Sequence, residues 1–200
     1  MNLSKKLPLA FICLALLSAS AGLFGIFKIN QVVSTYARLI DVDVANKEAI
    51  AFIVEDFKTQ VQEWKNVLLR GKDPKQLERY WAAFQKHEEN VAEATQKLAT
   101  RLPDEESRTL ISRFDAAHKQ MGVDYRKGLD AFKTAGFEPA AGDAAVKGMD
   151  RAPAALLDEA RKKIASSTAA SEANASEHRQ QAIIASIALM VAGLAAAITA

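Results

Sequence analysis

Apolar residues are laid out along this chain in two ways. From Leu7 to Phe27 and from Ala182 to Ala200 they run without a charge for 21 and 19 residues. Between those runs they recur every three or four positions, the period of a helix that buries one face. Ile50, Ile53, Phe57, Val61, Trp64 and Leu68 make a first seam, and Leu77, Trp81, Phe84, Val91 and Leu98 a second. Ile111, Phe114, Met121, Tyr125, Leu129 and Phe132 make a third, and Val146, Met149, Leu156, Ala160 and Ile164 a fourth. The spacing predicts four helices over 28–70, 74–101, 104–135 and 143–181.

The breaks support this division. Gly71 ends the first helix, Asp73 caps the second and Pro74 sits at its first position, where the missing N–H costs nothing. Pro103-Asp104-Glu105-Glu106 opens the third with acidic residues at the positive end of its dipole. The segment from Gly136 to Gly142 is a looser connection, after which Asp143 is the expected cap. Pro153 falls inside the last helix and is expected to kink it or to move its start. Short connections make neighbours antiparallel. The expected fold class is all-α: an antiparallel up-down-up-down four-helix bundle continuous with two transmembrane helices. Between Ala165 and Glu177 the last helix carries mostly small side chains, which suit a solvated stalk that only connects or, as the alternative, a helix that slides past a neighbour.

A helix needs about 20 apolar residues to cross a bilayer, so each end run is long enough. Lys5 and Lys6 favour a cytoplasmic amino terminus. The expected organisation is a multi-pass membrane protein with a cytoplasmic segment 1–6, a first span 7–27, an extracytoplasmic bundle 28–181 and a second span 182–200. Ala19-Ser20-Ala21 has the form of a signal-peptide cleavage site, but the run continues to Phe27, beyond the roughly 7 to 15 residues of a signal-peptide core.

Overall, 50% of residues are apolar, 25% are charged and the net charge is +2. Setting aside Lys5 and Lys6 leaves 24 basic and 24 acidic residues in 28–181. This balance gives poor support to a nucleic-acid role, which requires a clustered positive surface. The single cysteine, Cys13, lies in the first apolar run, so the middle segment forms neither a disulfide nor a cysteine metal site. No phosphate loop, nucleophile elbow or zinc-protease helix is present. Glu55 with Lys58, and Glu159 with Lys163, have the spacing of solvated surface pairs. No enzyme activity and no cofactor are expected.

Counting from the 71–74 turn places Trp64, Lys65 and Arg70 near Tyr80 and Trp81, with Tyr125, Arg126 and, somewhat lower, Arg151 approaching the same level. Guanidinium groups beside aromatic rings suit an anionic or carboxylate-bearing small molecule. Seam positions equally make Trp64, Trp81 and Tyr125 plain core. His87 and His118 stand at similar heights on adjacent helices, a placement compatible with a metal but equally with a buried histidine–carboxylate bond.

The run Phe57-Lys-Thr-Gln-Val-Gln-Glu-Trp-Lys-Asn-Val-Leu-Leu-Arg-Gly71, with Tyr80-Trp81 and Phe84 after it, resembles the four-helix-bundle sensor region of bacterial methyl-accepting chemotaxis proteins. Gly148-Met-Asp-Arg-Ala-Pro153 is similar to the segment that opens the last sensor helix in that group. The resemblance implies a homodimeric receptor of the bacterial inner membrane, with 28–181 in the periplasm, that senses a small molecule there and controls a histidine kinase through an adaptor. The linker, methylated glutamates and kinase-contacting hairpin of that family are not in this sequence, so an input module is expected rather than a whole receptor. The same module serves as the input of membrane histidine kinases and diguanylate cyclases, and a ligand-free helical scaffold is the structural alternative.

Overall fold

A computed structural model describes residues 3–199. The helices are α1 (Leu3–Arg38), α2 (Ala45–Arg70), α3 (Pro74–Arg101), α4 (Glu105–Thr134), α5 (Pro139–Val146) and α6 (Arg151–Thr199), with a π-helical turn, Leu39–Val44, between α1 and α2. The chain divides into two compact units, one formed by 1–41 with 169–200 and the other by 42–168.

In the second unit, α2, α3, α4 and the first part of α6 pack around one core. Ile53, Phe84, Phe114 and Phe132 are wholly buried there. The turns follow the expected chemistry. Asp73 Oδ1 accepts from the backbone N–H groups of Lys75 and Gln76 at 2.8 and 3.1 Å, and Pro74 takes the first helical position. Asp104 Oδ1 accepts from Ser107 N–H at 2.8 Å to start α4. Gly71 ends α2 with φ −74°, so its role is space rather than a left-handed backbone: an added Cβ would press on Leu77 and Phe132 at 3.0 Å.

The last connection differs from expectation. Asp143 does not cap a long helix but lies inside the short α5, and a turn over 147–150 precedes α6. The positive φ of Gly136 (72°) and Phe137 (66°) releases the chain from α4, and that of Gly148 (79°) falls in the turn after α5. Pro153 occupies the first turn of α6, where the lost donor is harmless, so it relocates the start. That shift changes the seam: Leu157 is buried, Leu156 half-buried and Met149 exposed.

The first unit consists of α1, with the opening of the π-turn, and the end of α6. A cavity of about 350 Å³ there is lined by Ile29, Val32, Val33, Ile183 and Ile187, with Lys28 and Arg179 also on its wall. Phe11, Leu16, Leu23, Phe27, Met190 and Val191 are exposed. Of the spans expected over 7–27 and 182–200 only Ala200 lies outside the described residues, and among the described residues no helix is long and apolar enough to cross a membrane.

Candidate functional site

The expected cluster separates into three pieces. Trp64, 2% exposed, meets Tyr125 edge-on with centroids 5.2 Å apart and Trp81 at 6.4 Å. Phe84, which sequence reasoning left in the seam, stacks between Trp81 at 4.9 Å and Tyr125 at 5.4 Å. Gly128 lets the group close up, because an added Cβ would collide with Val146 and touch the Trp64 ring at 3.3 Å. These rings are therefore packed core. Burial, with the carboxylates of Asp150 and Asp143 nearby, pushes the Tyr125 hydroxyl above its usual range. Those two carboxylates also work against an anion at this point.

The second piece is Arg70, whose guanidinium donates to the Tyr80 hydroxyl and lies over its ring at 5.3 Å, while Arg79 approaches the same ring at 5.4 Å. The third is Arg126, which grips Glu88 through two bonds of 2.9 and 2.6 Å and donates to the Gly122 carbonyl at 2.7 Å. It also lies 6.0 Å from the Trp81 ring. The bond to Glu88 raises the Arg126 pKa. Gly122 leaves room for this pair, since an added Cβ would meet Glu88 Oε1 and turn the carboxylate aside. Lys65 and Arg151 are exposed and take part in none of these contacts.

The two histidines do not converge. His87 Nδ1 donates to Asp56 at 2.9 Å and His118 Nε2 donates to the Gln60 side-chain oxygen at 2.7 Å, both partners lying on α2 four residues apart. Among the described residues no group of three potential ligands surrounds either one. His118 is 1% exposed and stacks on Phe114 at 5.6 Å. Burial lowers its pKa, against the opposing pull of Glu88 and Asp115. Asp56 Oδ2, Gln60 Nε2 and Trp64 Nε1 are buried without a hydrogen-bond partner, forming a polar row at four-residue spacing on α2. Sequence reasoning missed Asp56 and Gln60, although their fixed step from Trp64 within an apolar seam was the available signal.

A groove of about 350 Å³ between α2 and α6 has a floor of Val54, Phe57 and Leu157 and a rim of Lys58, Asp158 and Arg161. Asp158 accepts from Arg161 at 2.9 Å and from Lys162 at 2.7 Å, which holds its carboxyl below the usual range. Lys58 is thus on the groove rim, and Lys163 pairs with Glu106 of α4 rather than with Glu159. The groove joins an apolar floor to net positive charge, so it suits a small amphipathic anion better than the closed aromatic cluster does.

The family model of the four helix bundle sensory module for signal transduction matches residues 1–187. Methyl-accepting chemotaxis protein CtpH of Pseudomonas aeruginosa is 33% identical over 185 residues, which cover 92% of this chain and 32% of that protein. The chain therefore spans about a third of the length of the curated relative it matches. No solved structure matches it.

Proposed function

The chain belongs to the four-helix-bundle sensory modules of methyl-accepting chemotaxis proteins, and from that premise we propose that it is the input half of a transmembrane chemoreceptor. In this reading the apolar runs 7–27 and 182–200 cross the inner membrane, and 28–181 stands in the periplasm. A small molecule is sensed by the bundle as part of a homodimer. The second span carries the change to a cytoplasmic signalling region, which addresses a histidine kinase through an adaptor.

The observation that carries the reading is the extent of the family match. It covers the first apolar run, the whole bundle and the start of the second run, rather than the bundle alone. The exposed Phe11, Leu16, Leu23, Phe27, Met190 and Val191 agree with it, since an apolar surface of that kind needs a lipid or protein cover. The α2–α6 groove supports ligand sensing, because it lies between the helices that lead toward the two runs.

Two measurements test the proposal. In intact cells a membrane-impermeant thiol reagent should label Lys65→Cys; protection from the reagent would place the bundle on the wrong side. Thermal melting of the full chain in lipid against a panel of small carboxylates should show one that raises the transition. At a hundredfold excess over its Kd, a ligand specific for the folded state adds about 2.7 kcal/mol. Lys58→Gln with Arg161→Gln should remove that shift, whereas Lys65→Gln should keep it.

A further inference from the structure

We propose that the π-helical turn Leu39–Val44 and the Thr168 hydroxyl form a two-state register latch between the entry to α2 and α6. A π-turn holds one residue more than the α-turn it replaces, and it leaves backbone carbonyls poorly served by their own helix. Neighbouring side chains serve them here. The Asp43 carbonyl accepts from Thr168 Oγ1 at 3.2 Å, and the Ala45 carbonyl accepts from Arg101 Nη2 at 3.5 Å.

Thr168 has one hydroxyl proton and two acceptors within reach. Its Oγ1 also lies 3.0 Å from the Ile164 carbonyl in its own helix. Thr168 is 2% exposed, so water does not compete for the choice. With the proton on Asp43 the π-turn is held open. With the proton on Ile164, the Asp43 carbonyl returns to its own helix and the turn tightens to α geometry. The extra residue then passes upstream, which turns the preceding helix by about 100° and moves it by about 1.5 Å.

The sequence leaves this choice open. Ile40, Val42 and Val44 are β-branched, and Asp41 and Asp43 are weak helix formers, so α geometry has little intrinsic advantage across the turn. The latch's purpose as a transmission element rests on the receptor reading, but its existence does not.

The test uses the full chain with Cys13→Ser in vesicles of phosphatidylethanolamine and phosphatidylglycerol. A cysteine at Ile183 is paired with single cysteines from 29 to 36, since Ile29, Val32 and Val33 line the same cavity as Ile183. The position of maximal oxidative cross-linking reports the phase of α1. Thr168→Val should move that maximum by one position, and Thr168→Ser should leave it in place. Deleting Ile40, which is 61% exposed, removes the extra residue without emptying the core. In that background the maximum should stay where it is and Thr168→Val should have no effect. An unmoved maximum in Thr168→Val, or an equal shift in both backgrounds, overturns the latch. No ligand enters the assay, so failure of the sensing proposal is read separately.

Discussion

The two ends of the bundle are built on different principles. At the end bearing the 71–73 turn, Trp64, Trp81, Phe84 and Tyr125 interlock, with Gly128 cut back to admit them. At the end bearing the π-turn, the cross-links are side chains on backbone carbonyls, Thr168 on Asp43 and Arg101 on Ala45. Thr95 and Ser107 are buried there, each with a hydroxyl that has no hydrogen-bond partner. Close-packed rings have a single good arrangement, whereas a hydroxyl between two carbonyls has two of similar quality. One end is made to hold its form and the other to choose between forms.

The contrast is broken most severely at the ring-packed end. Phe84→Ala should cost about 3–5 kcal/mol in denaturant unfolding, by loss of burial and the cavity left behind. A loss below 1 kcal/mol would mean that the rings are not a packed core. Gly128→Ala should cost about 1–3 kcal/mol, because Val146 and Trp64 must move to receive the methyl group.

The middle of the bundle should respond to pH through His118. Its folded pKa lies below the ordinary 6.5 because of burial, so the unfolded chain takes up the proton first as pH falls. The contribution is intact above 6.5 and is lost progressively on acidification below that value. Unfolding midpoints across this range should slope accordingly, and His118→Gln should remove that part of the slope. The smallest effect belongs to the surface. A double-mutant cycle on Glu88 and Arg126 should give a coupling of about 1 kcal/mol that weakens with salt, since Arg126 remains 47% exposed.

Much of this was legible in the residues themselves. Aromatic and aliphatic seams at three- and four-residue steps, and the Asp73-Pro74 and Asp104 starts, act locally, so pattern alone located α3, α4 and the end of α2, whereas the single helix expected over 28–70 is divided by the π-turn into the end of α1 and α2. Pro153 announced a boundary without saying that a separate short helix would precede it. That helix depends on Phe137 and Gly148 adopting left-handed backbones, which is settled by how the 136–150 segment packs. The π-turn was missed because nothing in a 3.6-residue pattern marks one extra residue; three β-branched residues alternating with two aspartates were the only local sign. In the expected ligand cluster the aromatic residues proved to be core. Charge on a helix face does not reveal its partner, so Arg126 with Glu88, and Lys58 beside the groove, appear only once the helices are assembled.

Pro153 has an implication for mechanics. Extending α6 backwards by a turn would drive its ring against the carbonyl of Met149, so this boundary cannot migrate upstream. The proline fixes a datum from which every later residue of the helix is counted. Residues can unwind from this end but none can be added to it, as with a ratchet that runs one way.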